Sequence, residues 1–282
     1  MRRFRAALVG GLVSARQIWL IGPLYLWGLL LGLIQTWPLL LASQKGALQN
    51  PFLNQLVIGG SDALVNLFIS TPTAGAQAFV WSIAAIGLLA LFGLGYNFFS
   101  GGMLSVCAQT RPFWAGCRRM FWSFTGLGFL LIVLMLSIVV GVGVLLIILH
   151  ASATFSIITT VVIIQLLNLV GEYARAIAVI HEQRNPLILL GRAVTFCIRH
   201  FPGVLLLGLL GLLLHAGLAA LLGILTTIHG GTIITIVWQQ AIIIAWLWVK
   251  FLRLTWALRY VQASTEAEGT PPGRETPVPV MT

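Results

Sequence analysis

Charge is what this sequence has little of. Its 282 residues include 16 Lys and Arg and only 6 Asp and Glu, so 8% of positions are charged, where a soluble globular domain carries about 25%. So few charges cannot solvate the surface of a soluble protein this long. Acids are scarcest: outside the C-terminal tail the carboxylates are Asp62, Glu172 and Glu182. That leaves no paired aspartates to hold a magnesium ion, and G-x-S-x-G, H-E-x-x-H and P-loop motifs are missing as well. Three cysteines at unpatterned spacings exclude a disulfide scaffold and match no metal or redox motif. The expectation is a protein with no catalytic residue, no metal ligand set and no cofactor.

What the chain does have is length without charge. It is 59% hydrophobic, with a mean hydropathy of +1.01. Uncharged intervals of 28, 48, 52 and 50 residues separate Arg16 from Lys45, Asp62 from Arg111, Arg119 from Glu172, and Arg199 from Lys250. A helix needs about 20 apolar residues to cross roughly 30 Å of hydrocarbon. The first interval holds one crossing and the last two hold two each, turned at His150-Ala151-Ser152-Ala153 and His229-Gly230-Gly231. The 48-residue interval opens on the polar, Pro-containing stretch Ser70-Thr71-Pro72-Thr73 and is given one. The sequence thus predicts an all-α, polytopic transmembrane bundle of six helices, with spans near 18–42, 76–100, 121–149, 155–180, 203–228 and 232–258. Runs such as Val204-Leu205-Leu206-Leu207 are apolar on every face, which suits a helix in lipid and not a barrel strand.

Six crossings put both termini on one side. That side collects fifteen of the sixteen cations, and only Lys45 falls on the other. Cytoplasmic loops hold the excess of Lys and Arg, so both termini are expected in the cytoplasm. The net charge of +10 is then a topology feature, and no nucleic-acid partner is expected. The first apolar segment exceeds the 7–15 residues of a signal-peptide core and is read as a retained span. Cys107, Cys117 and Cys197 fall on the cytoplasmic side, where thiols stay reduced.

Two segments read as interfacial helices. Residues 1–15 place Arg2, Arg3, Phe4 and Arg5 ahead of Ala, Leu and Val. Residues 186–200 run from Pro186 to just before Pro202, with Leu190, Val194, Cys197 and Ile198 on one face and Arg192 and Arg199 on the other. Such a helix either senses anionic lipid or simply carries topology charges, and the plainer reading is preferred. The segment 44–75 is expected to form short helices on the outer face, because Leu53, Leu56, Val57 and Phe68 are too apolar for a solvated loop. The tail 263–282, with Thr, Glu, Gly and four prolines, is expected to be disordered.

Polar residues inside the spans are few, and they are the candidate sites. Gln165, Asn168, Glu172 and Arg175 fall at steps of three, four and three, on one face of span four. From a rise of about 1.5 Å per residue, Gln165 lies about 15 Å deep, His215 about 18 Å, and Gln239 and Gln240 about 11–12 Å. Gln165, Asn168, His215, Gln239 and Gln240 form a candidate buried polar cluster. Glu172 is expected to pair with Arg175, with Arg253 or Lys250 as alternatives. Both groups are read as bonds between helices, with His215 donating across a stripe of small residues, Gly208, Gly211, Ala219 and Gly223. Gly93, Gly95, Gly101 and Gly102 read as packing positions too. Tyr96, Tyr173 and Tyr260, with Trp19, Trp122, Trp248 and Trp256, form an expected interfacial aromatic belt.

The run Tyr96-Asn97-Phe98-Phe99-Ser100-Gly101-Gly102-Met103, the step Gly171-Glu172-Tyr173-Ala174-Arg175 and the amphipathic stretch to Pro202 together resemble bacterial six-helix integral membrane proteins of uncharacterised role. In those, a Gly-Gly step follows span two and an acidic-Tyr-Ala-Arg step ends span four. More loosely, the layout looks like the membrane portion that precedes some glycerophosphodiester phosphodiesterases, and that likeness carries no phosphodiesterase activity with it. The resemblance implies a fold and a bacterial cytoplasmic membrane. The expected role is non-enzymatic: a structural, assembly or lipid-organising partner, with membrane lipid and a protein partner or second copy as ligands. A small-molecule permease with a mid-membrane polar site is the alternative.

Overall fold

With hydrophobic side chains on every face, the long apolar runs have no polar stripe to turn toward water. Winding into helices satisfies their backbone groups within each segment. The computed structural model describes residues 2–44, 72–148, 152–227 and 232–267, and all their regular structure is helical. In chain order these helices are α1 (Arg2–Ala15), α2 (Gly22–Gln44), α3 (Pro72–Cys107), α4 (Phe113–Ile148), α5 (Ala153–His181), α6 (Pro186–Arg199), α7 (Phe201–Thr227) and α8 (Thr232–Ala267), with a 3-10 turn at Ile18–Ile21 between the first two. Five stretches are long and apolar enough to cross a membrane: Ile86–Cys107, Phe113–Leu146, Thr154–His181, Phe201–Leu221 and Gln240–Ala267. A sixth crossing exists if α1 and α2 are counted as one broken span. The chain is a multi-pass helical membrane protein.

Local sequence sets the helix ends. Ser152 caps α5 by accepting from the Phe155 amide at 3.3 Å, and Asn185 caps α6 by accepting from the Leu187 amide at 3.0 Å, with Pro186 in the first turn. Helices α3 and α5 are followed by non-glycine residues in the left-handed region, Gln109 at φ 58° and Glu182 at φ 50°. Several helices outrun the spans read from the sequence at their cation-rich ends. α3 continues to Cys107, α4 starts at Phe113, and α8 runs to Ala267. The extension of α8 corrects the expected disorder from residue 263: Ser264 is buried, and the Thr265 hydroxyl donates to the Val261 carbonyl at 2.9 Å. The rest of the tail, residues 45–71 with Lys45 and Asp62, and the turns at 149–151 and 228–231 lie outside the described residues.

Two compact units divide the chain. The smaller, residues 23–96, joins α2 to the first part of α3. There Gly95 lies against the Trp27 indole, whose Nε1 donates to the Leu91 carbonyl at 3.2 Å, and Gly28 meets Phe92.

The larger unit, residues 1–22 and 97–282, holds the rest. In it α8 is the central element, packed against α1, α5 and α7, while α6 bridges α4, α5 and α7. Its core lies toward the cation-rich helix ends, where Met103, Phe124, Tyr173, Leu189, Phe251 and Leu254 are all fully buried. The opposite halves of the same helices turn apolar side chains outward, as Leu136, Val140, Phe155, Leu213 and Ile224 do. Lipid covers such surface at no cost.

The expected aromatic belt divides in two. Trp19 and Trp122 are exposed, as a belt requires, but Tyr96, Tyr173, Trp256 and Tyr260 are buried. Tyr173 packs on Phe196 with ring centroids 5.6 Å apart, and Tyr260 meets Tyr173 edge-on at 6.4 Å. Helix crossings at the cation-rich end recruit these rings into the core before the interface can.

Candidate functional site

At the packed end of the larger unit, five helix termini and α1 meet, and the charged side chains there are held in three fixed arrangements. The first is a clasp between α5 and α8. Arg253 Nη2 lies 2.9 Å from Glu172 Oε1, and its Nε donates to Oε2 at 3.2 Å. Both side chains are nearly enclosed, at 8% and 11% exposure for Glu172 and Arg253. Gly211 on α7 makes room for this pair, because a Cβ there would run into the Arg253 stem. A cavity of about 10 Å³ adjoins the pair, lined by Leu169, Tyr173, Leu207, Gly208, Trp256 and Ala257. That is space for about one water molecule. The Arg175 guanidinium, expected as the first partner of Glu172, instead donates to Asn97 Oδ1 on α3 at 3.2 Å. One helical turn separates Arg175 from Glu172 along the same helix, whereas Arg253 meets the carboxylate from across the helix crossing, where both fork nitrogens reach it.

The second arrangement is a collar. Glu182, just past the end of α5, takes Arg111 on Oε1 (Nη2 at 2.7 Å, Nε at 3.1 Å) and Arg119 on Oε2 at 2.5 Å. Donation by the Arg111 guanidinium, aided by the field of both arginines, holds its carboxyl below the usual carboxylate range. Nothing in the sequence spacing joins Glu182 to residues 63 and 71 positions away.

The third is a hub at Arg259. Its Nη2 donates to Ser14 Oγ on α1 at 2.9 Å and to the Cys107 carbonyl at the end of α3 at 3.2 Å, while Nη1 donates to Gln262 at 3.1 Å. α1 lies close enough for this because Gly11 faces the Trp256 indole, where any side chain would collide, and because the Thr255 hydroxyl donates to the Gly11 carbonyl at 3.3 Å. The helix expected over residues 1–15 is present and is fastened to α8.

The mid-depth polar residues are arranged differently. His215 donates from Nδ1 to the Gly211 carbonyl of its own helix at 2.8 Å, and its ring meets Trp246 edge-on at 5.8 Å. The expected donation to a neighbouring helix is replaced by this bond, since a carbonyl four residues back is always within reach. Gln165, His215 and Gln240 are half-buried, and Asn168 is exposed. Among the described residues no hydrogen bond joins Gln165, Asn168 and His215 to one another, and the side chain of Gln239 lies outside the described residues. Lys250 sits over the Trp246 ring at 5.4 Å.

Small residues behave as packing positions at the cation-rich end. Gly101 and Gly102 let α3 touch the start of α4 at backbone distance, facing Met120, Gly116, Cys117 and Phe113, and Gly116 faces Ser105 in return. Gly208 meets Leu169 on α5. Gly93 has nothing within 4 Å of a would-be Cβ, and neither does Gly223, so the stripe on α7 packs only toward its cation-rich end. Cys107 and Cys117 are buried and Cys197 is half-buried, and all three are free thiols. Among the described residues no group of three or more His, Cys, Asp or Glu is placed to hold a metal ion.

No known protein family, curated protein or solved structure matches this chain.

Proposed function

We propose that this protein is a non-enzymatic scaffold of a bacterial cytoplasmic membrane, both termini cytoplasmic, acting as a structural, assembly or lipid-organising partner. The observation that carries this reading is the closed state of the Glu172–Arg253 clasp. Glu172 is the carboxylate placed deepest among the described spans, and ion-coupled transport needs such a group to be free to exchange its partner. Here it is held at both oxygens, beside space for about one water. The cytoplasmic placement of both termini is supported by the cations gathered at the end where α1 and the end of α8 lie.

A second reading, a small-molecule permease, is favoured by one observation: Asn168 is exposed, with Gln165, His215 and Gln240 half-exposed at neighbouring depth. Reconstitution separates the two. Proteoliposomes shrunk osmotically in a panel of sugars, amino acids and small ions should re-swell no faster than protein-free vesicles. Saturable, protein-dependent entry of any solute would overturn the scaffold reading.

A further inference from the structure

We propose that the outward face of α4, at its cation-rich end, seats an anionic phospholipid, with the phosphate on Arg118 and the rings of Trp114 and Trp122 on either side. The proposal deepens the lipid-organising part of the reading above and rests on it. Trp114, Arg118 and Trp122 follow one another at steps of four, which lines them up along one face of the helix. All three are exposed, the two tryptophans at 61% and 77%. Their rings are nonetheless held in place. Trp114 meets Phe113 edge-on at 5.2 Å and Phe98 at 6.4 Å, while Trp122 meets Phe121 at 5.0 Å and Phe121 meets Phe98 at 5.8 Å. Phenylalanines from α3 and α4 thus form a platform that carries both indoles outward. Between them, the Arg118 side chain has no ion pair or hydrogen bond among the described residues. Arg111 and Arg119 share the Glu182 carboxylate, so the start of α4 keeps an excess of positive charge.

The rest of the same face selects a lipid. Ile132, Leu136 and Val140 stand eighteen residues beyond Trp114, Arg118 and Trp122, five full turns on and so in line with them, and all three are exposed. Phe129, 70% exposed, lies on the same side. At a rise of about 1.5 Å per residue, Leu136 is about 27 Å from Arg118, close to the roughly 30 Å of a hydrocarbon core. A cation that opens onto a bare apolar strip of this length matches a headgroup phosphate followed by its acyl chain. Tryptophan favours the level where hydrocarbon gives way to headgroups, and a guanidinium fork suits phosphate oxygens. A free anion would use the arginine and leave the strip uncovered. A second copy, in the same orientation, would bring its own arginine to the same depth and set like charges together.

The test uses the full-length protein in nanodiscs of phosphatidylcholine with graded phosphatidylglycerol, and native mass spectrometry to count retained phosphatidylglycerol. Arg118→Gln should weaken retention about fivefold, with an unchanged melting temperature. Arg118→Lys should retain most of it, and Arg5→Gln, at an exposed cation near the start of α1, should match the parent. Millimolar inorganic phosphate, which has no acyl chain to lay on the strip, should not displace the lipid. Equal retention by Arg118→Gln, equal loss in Arg5→Gln, displacement by phosphate, or a dimer that Trp122→Ala dissolves would each overturn the proposal. Should Arg118→Gln not survive purification, Arg118→Ser decides by the same criterion. Solute entry in the swelling assay leaves the lipid count intact, so the two readings fail separately.

Discussion

Arg253 holds Glu172 by both carboxylate oxygens, at 2.9 and 3.2 Å, across the crossing of α8 and α5. Removing one member of an enclosed pair leaves the other charge uncompensated, at a cost of about 3–5 kcal/mol, whereas replacing both with apolar residues is often neutral. Glu172→Leu should therefore lower stability in detergent by about that amount, and Glu172→Gln by less, since the amide still accepts from the guanidinium. The double variant Glu172→Leu/Arg253→Met should recover most of the loss. Denaturant titration of the parent, Glu172→Leu, Arg253→Met and the double variant closes the cycle and measures the coupling directly.

Backbone contact between α3 and the start of α4 gives a second prediction. A Cβ at Gly102 would meet the Phe113 carbonyl at 2.7 Å as well as the Cys117 sulfur. Gly102→Ala should cost about 1–3 kcal/mol through overpacking. Gly217→Ala, on α7 with nothing within 4 Å, should cost nothing measurable. Paired melting curves distinguish a packing glycine from an incidental one.

Much of this architecture was legible in the sequence, and the reason is physical. Hydrocarbon enforces helices of a set length, so the charge-free intervals located the long apolar helices, and Pro186 with Pro202 bracketed α6. The Gly101-Gly102 step was readable as packing because only small residues permit close helix approach. Partner choice was not readable. Arg253 meets Glu172 from 81 positions away, and Arg259 meets Ser14 from 245; periodicity along one helix says nothing about which other helix crosses it. His215 was expected to bond across its stripe, yet it bonds the Gly211 carbonyl of its own helix. Gly116 and Arg259 carried no mark beyond being small and being basic.

Acid should loosen the collar. The Glu182 carboxyl is held below its ordinary value of 4.5 by Arg111 and Arg119, so its contribution is present above the unfolded value and is lost as pH falls through the lower folded value. Because 39% of that side chain is exposed, solvent screening keeps the effect small. Melting temperature followed from pH 7 to pH 3 should show a modest fall below about 4.5 that is absent in Glu182→Gln.

Burial pushes the Cys197 thiol up to about 12, and the thiolate is the reactive form. At pH 8 the folded protein should alkylate at Cys197 far more slowly than the denatured chain does. Peptide mass spectrometry after timed N-ethylmaleimide treatment reads the difference; equal rates in both states would mean the residue is not shielded as the packing of α6 requires.

Whether the mid-depth polar residues line water or lipid decides between a scaffold and a permease. Cysteine placed singly at 165 and at 168, in a variant with Cys107, Cys117 and Cys197 replaced, can be offered a membrane-impermeant maleimide from either side of sealed vesicles. Maleimide needs a hydrated thiolate, which a lipid-facing position does not provide. A scaffold predicts no labelling at either position from either side until the membrane is dissolved. Labelling at 165 or 168 from one side of the intact membrane would reveal an aqueous path and contradict it.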